Sequence, residues 1–222
     1  MKKLFLASWF AGSANLLLNF ISEDLNGKKV LFIPTASSYE MMAEEREVYD
    51  FINKLDKEAL EKLGFVVEVL EIMDKSVEVI EKSFFTTDGV FVCGGNIFFL
   101  MQELKRKGVD KLISRHIEQG KLYMSTSAGS VLMQKDFIDD GIDDSTFAPA
   151  LKGDYSGLGF IDFYLFVHYG RNYFGDDKAT FNKYYAHLDC IRIDDNQAVI
   201  VDGEKIEIVN APKSCIPNFE TE

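Results

Sequence analysis

The chain has 222 residues, 47% of them apolar, and a formal net charge of −12. That length suits one α/β domain, read here as residues 1–222, with a sizeable core. The acidic balance excludes a general nucleic-acid binder, which needs a basic footprint. Cys93, Cys190 and Cys215 show no metal or redox spacing, so a reducing, cytoplasmic compartment is expected.

The first residues, Met-Lys-Lys-Leu-Phe-Leu-Ala, carry the charge of a signal peptide. The apolar run is too short for one, and Asn15, Asn19 and Glu23 soon interrupt it. The reading is a buried strand over 3–7 and a helix over 13–21 with Leu16, Leu17, Phe20 and Ile21 on one face. A second strand over 29–33 closes at Pro34. A long amphipathic helix is expected over 41–63, with Val48, Phe51, Ile52, Leu55, Leu60 and Leu63 as its stripe and Gly64 as its stop. A strand over 65–72, a short helix over 77–82, a strand over 89–93 and helices over 98–107 and 109–119 follow. Gly120 then precedes a strand over 122–124. No run reaches transmembrane length. The alternation of strand and helix predicts a mostly parallel central sheet with helices on both faces.

The stretch Lys121 to Met133 organises the site. An apolar strand runs into Ser125, Thr126, Ser127, Ala128 and Gly129, and an apolar run that can be helical leaves it. A serine at such a bend is a candidate nucleophile, because a tight strand-to-helix turn lifts its hydroxyl off the sheet. The turn needs small residues two before and two after the serine, and Ser125 and Gly129 are small.

Beyond it lies an acidic loop, 136–144. Its aspartates do not follow the spacing of an EF-hand, so a solvated loop is expected. A strand over 163–167 ends at His168, a helix is expected over 177–187, and short strands over 191–193, 198–201 and 205–209 complete the chain. In open α/β sheets, ligands gather at the carboxyl ends of the strands. Gly94-Gly95-Asn96, Ser127, His168 and the pair Asp194-Asp195 all stand at expected strand ends. Serine, histidine and a carboxylate can form a relay in which the base activates the hydroxyl and the acid orients the base. Gly94-Gly95 can bring a second backbone N–H to an oxyanion. His116 and His187 fall within expected helices and read as ordinary surface or core residues. Strand alternation puts only one of Asp194 and Asp195 toward the site and does not choose which.

Cys93-Gly94-Gly95-Asn96-Ile97-Phe98-Phe99-Leu100, followed some thirty residues later by Ser-Thr-Ser-Ala-Gly, resembles the peptidase E family of serine peptidases. That family includes aspartyl dipeptidases and has cyanophycinases as relatives. Phe32-Ile33-Pro34-Thr35-Ala36 fits the same pattern. The resemblance implies a class I glutamine amidotransferase-like fold, a flavodoxin-like three-layer sandwich. It also implies Ser127 as nucleophile, His168 as base and Asp195 as orienting acid, with Asp143 or Asp144 ranked lower. Gly95 and Ala128 would form the oxyanion hole, and Asn96, Arg171 and Lys178 would bind substrate.

Three departures stand out: Ile97 replaces a threonine, Ser125 replaces the first elbow glycine, and Asp195 stands where aspartyl dipeptidases carry glutamate. The expectation is a dipeptidase-like serine peptidase for short peptides, including those with N-terminal aspartate, with neither metal nor cofactor. No nucleic-acid or membrane partner is expected, and a homodimer is left open. The alternatives are a non-enzymatic small-ligand binding protein on this scaffold, or a hydrolase of another amide or ester.

Overall fold

The computed structural model describes residues 1–38, 46–143 and 145–215. Nine strands are present among them: β1 (Lys3–Ala7), β2 (Lys29–Ile33), β3 (Val66–Val69), β4 (Gly89–Val92), β5 (Leu122–Thr126), β6 (Tyr164–Phe166), β7 (Cys190–Arg192), β8 (Gln197–Asp202) and β9 (Lys205–Asn210). Seven form one sheet in the order β3-β2-β4-β5-β1-β8-β9. From β3 to β1 every neighbour is parallel, whereas β8 runs antiparallel to both β1 and β9.

The helices are α1 (Phe10–Ser13), α2 (Leu17–Phe20), α3 (Arg46–Lys62), α4 (Val77–Thr86), α5 (Ile97–Lys107), α6 (Val109–Glu118), α7 (Ala128–Val131) and α8 (Asp177–Tyr184). Strand alternation sorts the core into two layers. Leu4, Leu6, Val90, Val92, Tyr123 and Val199 pack with Ile80, Leu100, Leu104, Ile113 and Leu132 from α4, α5, α6 and the end of α7. Phe5, Ala7, Phe91, Met124, Ala198 and Ile200 face the other way and meet Phe10, Leu17 and Leu60 from α1, α2 and α3. Both faces of the sheet are covered, so the central strands are apolar throughout rather than alternating. Each large side chain buried this way contributes about 1.5–3 kcal/mol. None of the helices among the described residues is long and apolar enough to cross a membrane.

The structure departs from the sequence reading in five places, one being the helix expected over 177–187, which ends at Tyr184 and leaves His187 in the turn beyond it. The helix expected over 13–21 begins earlier, at Phe10, and breaks over residues 14–16 into a tighter turn. The Ser13 hydroxyl bonds back to the Trp9 carbonyl at 3.1 Å, the kind of back-bond that bends helices. The strand expected over 65–72 ends at Val69, and Glu71 turns aside to accept the Thr35 hydroxyl at 2.7 Å. In α3, which is described only from Arg46, Val48 and Phe51 are exposed and the fully buried residues are Asp56 and Leu60. Finally, β6 and β7 pair only with each other, as a separate parallel ribbon. His168 and the Asp194-Asp195 pair therefore follow ribbon strands, not strands of the main sheet.

Candidate active site

The carboxyl ends of the parallel strands β4, β5 and β1 lie on one edge. The chain leaves β5 into α7 on one face of the sheet and leaves β1 into α1 on the other. A crevice opens where neighbouring connections part in this way. The antiparallel β8 begins at the same edge, because Ala198 pairs with Ala7. Residues just after β1, just after β5 and just before β8 therefore converge.

Ser127 sits between β5 and α7 with φ 51° and ψ −118°, a sparsely populated region for a residue with a side chain, worth about 1–3 kcal/mol of strain. Its N–H is held by the carbonyls of Ala7 and Ser8, each at 3.1 Å. Gly129 makes the turn possible: a Cβ there would lie 2.2 Å from the Val92 carbonyl oxygen. Ser125 needs no special backbone angle. It lies inside β5, paired with Leu6 and Val92, and its hydroxyl shares a 2.9 Å hydrogen bond with Ser130. The strain of the bend falls on Ser127 alone, so the loss of the first glycine leaves the elbow intact.

The Ser127 Oγ lies 2.9 Å from His168 Nε2, and His168 Nδ1 lies 2.6 Å from Asp195 Oδ1. A proton on Nδ1, donated to the carboxylate, leaves Nε2 free to accept the serine proton; this tautomer is assigned from the network. His168 also has a positive φ of 58°. Its backbone N–H donates to Ser8 Oγ at 2.8 Å, and that hydroxyl donates to Asp195 Oδ1 at 2.9 Å. The Tyr173 hydroxyl donates to Asp195 Oδ2 at 2.8 Å. Burial pushes the Asp195 carboxyl up, but hydrogen bonds and charge from His168, with hydrogen bonds from Tyr173 and Ser8, outweigh it and hold the group below its ordinary range.

Ser127, His168 and Asp195 line a cavity of about 430 Å³. Gly95 and Ala128 line it too. Gly95, at φ 135°, admits no side chain, since a Cβ would meet the Ala36 carbonyl at 2.2 Å. As first residue of α7, Ala128 has an N–H that no earlier helical turn accepts.

The three expected substrate-binding residues do not line the cavity. Asn96 is buried as the cap of α5 and accepts the Phe99 N–H at 2.9 Å. Arg171 Nε lies 2.5 Å from Asp194 and 3.4 Å from Asp195, so its charge is spent on the acid behind His168. Lys178 is exposed near the start of α8. Of the alternative acids, Asp144 lies outside the described residues. Asp143 lines the cavity and accepts the Ile97 N–H at 2.8 Å. Ser8, Tyr173 and Tyr185 were not singled out in the sequence, and Asp140 stood there only as one of the aspartates of the acidic loop. Ser8 carried the one available signal, since it directly follows a buried first strand.

His116 and the described loop aspartates have hydrogen-bond partners within the fold. His116 is buried, and its Nε2–H donates to the Leu122 carbonyl oxygen, 3.1 Å away. Burial drives its pKa down to about 4; a neutral imidazole there must present N–H to that carbonyl. The described loop aspartates each find a donor: Asp136 the Tyr164 hydroxyl, Asp139 that of Ser145, Asp140 that of Tyr185 and Asp143 the Ile97 N–H. Among the described residues no three His, Cys, Asp or Glu side chains converge as a metal site.

A strained serine at the carboxyl edge of a mostly parallel sheet, hydrogen-bonded through histidine to a buried aspartate, defines a hydrolase of the serine class. The chain belongs to peptidase family S51, a family of serine-type peptidases, which it matches over residues 7–209. It is 36% identical over 207 residues to an uncharacterized peptidase of Listeria monocytogenes, covering 93% of this chain and 97% of that one. An uncharacterized peptidase of Pasteurella multocida is 35% identical over 209 residues, covering 92% and 95%. Peptidase E of Salmonella arizonae is 30% identical over 116 residues, 52% of this chain and 46% of that protein. The fold matches the crystal structure of a protein from Listeria monocytogenes provisionally named peptidase E, with a TM-score of 0.84 and 35% identity, covering 96% of this chain and all of that one.

Proposed function

We propose that this peptidase cleaves short peptides through an acyl-enzyme on Ser127. Ser127 Oγ attacks the scissile carbonyl carbon while His168 Nε2 takes its proton. The resulting oxyanion is held by the N–H groups of Gly95 and Ala128. His168 returns the proton to the leaving nitrogen as the C–N bond breaks, and a free amine departs. Water then attacks the ester, giving its proton to His168, and the acid product leaves with Ser127 restored. Asp195 keeps the imidazole in the productive tautomer and stabilises its charged form.

The observation that carries this reading is the unbroken hydrogen-bonded line from Ser127 to His168 to Asp195, at 2.9 and 2.6 Å, in a cavity wall. The family membership supports the reaction class. Among the described residues no lysine or arginine lines the cavity to support the implied preference for N-terminal aspartate: Arg171 is paired with Asp194, and Lys178 is exposed outside the lining.

A fluorophosphonate probe, which reacts only with an activated serine, tests the proposal. The wild type is expected to take up one label per chain, and Ser127→Ala and His168→Ala none. Equal labelling of folded wild type and Ser127→Ala would overturn it.

A further inference from the structure

The charge lining the cavity is all of one sign. Asp140 and Asp143 line it, while among the described residues no lysine or arginine does. The segments 39–45 and 216–222, and residue 144, contain no lysine, arginine or histidine either, so this chain has no hidden cation to add. Neither Asp140 nor Asp143 has an ion-pair partner among the described residues; both have only neutral donors, Tyr185 and Ile142 for the first and Ile97 for the second. Beside Ser127, His168 and Asp195, and the neutral polar Asn53, Thr126 and Gln134, most of the wall is apolar or aromatic, including Trp9, Phe137, Leu165, Phe166 and Phe174.

Asp143 has a telling position. Its carboxylate takes the N–H of Ile97, the first residue of α5 and two residues past Gly95. The place where an incoming carboxylate would meet donors at the start of α5 already holds a carboxylate of the chain itself. Ile97 also gives that wall an alkyl group where a hydroxyl could have stood.

We propose that the cavity selects peptides whose first residue has an apolar or aromatic side chain and a free α-amine, with Asp143 holding the ammonium. This rests on the assignment of Ser127 as nucleophile. When the carbonyl oxygen of that first residue lies at the Gly95 N–H, its α-nitrogen is two bonds from the carbonyl carbon. It then falls beside Asp143, while the side chain extends along the aromatic wall. An acidic side chain would meet two carboxylates and no cation. A long basic side chain reaches away from Asp143, so it gains less than the α-amine. Burial, with the Asp140 charge adding to it and the Ile97 N–H and the nearby His168 opposing, pushes the Asp143 carboxyl up to about 7. A group poised there gains from an ammonium partner at neutral pH.

The test is kcat/KM for Phe-Leu, Leu-Leu, Lys-Leu, Asp-Leu and N-acetyl-Phe-Leu, run beside fluorophosphonate labelling. Phe-Leu and Leu-Leu are expected to exceed Asp-Leu by at least about 100-fold, the scale of an unpaired like charge in a closed site. N-acetylation is expected to cost roughly 10–100-fold, the worth of a hydrogen bond to a charged group. In Asp143→Asn, which can still accept the Ile97 N–H, KM for Phe-Leu should rise by about tenfold or more, with N-acetyl-Phe-Leu unaffected. Asp-Leu or Lys-Leu as the best substrate would overturn the proposal while leaving Ser127 as nucleophile. So would labelling of Ser127 without cleavage of any of these peptides. Loss of both labelling and cleavage would overturn the underlying reading along with it.

Discussion

Ser8 Oγ stands 2.9 Å from Asp195 Oδ1 and at the same time accepts the backbone N–H of His168 at 2.8 Å. One hydroxyl thus fixes both the Asp195 carboxylate and the main chain of His168. Because β1 neighbours β5 on one side and β8 on the other, its last residues lie between Ser127 and Asp195. Ser8→Ala removes a donor from a buried carboxylate and leaves the His168 N–H without its acceptor. The expected result is a loss of about 1–3 kcal/mol in stability and a fall in kcat larger than any change in KM. Denaturation and steady-state kinetics on the same preparation check both. Wild-type kcat in Ser8→Ala would show that the His168–Asp195 pair holds its own geometry.

Asp195→Asn should leave the fold intact and lower kcat by up to about 10⁴-fold, because an amide can donate to Nδ1 and favour the wrong tautomer. Asp194 faces Arg171 rather than His168, so Asp194→Asn should cost less than about tenfold, the scale of a change acting through a partly exposed pair. Comparing the two kcat values assigns the orienting acid. The reverse order of effects would transfer that role to Asp194.

The elements and the elbow were legible in the sequence because they rest on local signals. Apolar runs bounded by glycine and proline mark β1, β2, β4 and β5, and the small residues around Ser127 mark the turn. The two-layer core follows from strand alternation in the same way. What alternation could not do was choose between Asp194 and Asp195, which are adjacent. In the structure the chain turns between them, one side chain going to Arg171 and the other to His168. The separate β6–β7 ribbon was not legible, because pairing partners are long-range and the strands have only three residues each. Arg171 and Lys178 were named for their charge and nearness in sequence to His168. Which cation an acid captures is decided by the fold, and Asp194 captured Arg171. The α3 stripe misled for a related reason: Val48 and Ile52 border the cavity instead of the core.

Gly129→Ala tests the elbow itself. The added methyl would sit 2.2 Å from the Val92 carbonyl oxygen and 3.1 Å from Ser125 Cβ. Backbone on one side and a sheet residue on the other leave it no room. Overpacking of this kind costs about 1–3 kcal/mol, and relief can come only by moving α7 away from β4, which shifts Ser127. Fluorophosphonate labelling should slow far more than the loss of folded protein explains. Unchanged labelling together with unchanged stability would mean that the turn has slack the geometry does not show.

Asp56 offers a test of pH-dependent stability away from the reacting atoms. It is fully buried in α3, where Oδ1 accepts the Ala11 N–H at 2.8 Å and Oδ2 has no partner among the described residues. Burial raises its pKa from 3.8 to about 8, against the smaller opposing effects of Ala11 and Thr126. The raised value means the folded protein keeps a proton that the unfolded chain releases. The stability this provides is full below the unfolded pKa near 4 and is lost as pH rises toward 8. Each pH unit in that window removes at most about 1.4 kcal/mol. Asp56→Asn keeps an acceptor for Ala11 and does not ionise, so it lacks this loss. His116, pushed by burial down to about 4, titrates identically in both proteins and drops out of the difference. Urea denaturation at intervals from pH 5 to 9 should therefore show the variant gaining on the wild type as pH rises, with the gap levelling off above about 8. Parallel stability curves would mean that Asp56 is already ionised in the folded protein near neutral pH and that its carboxylate finds a partner on opening to solvent.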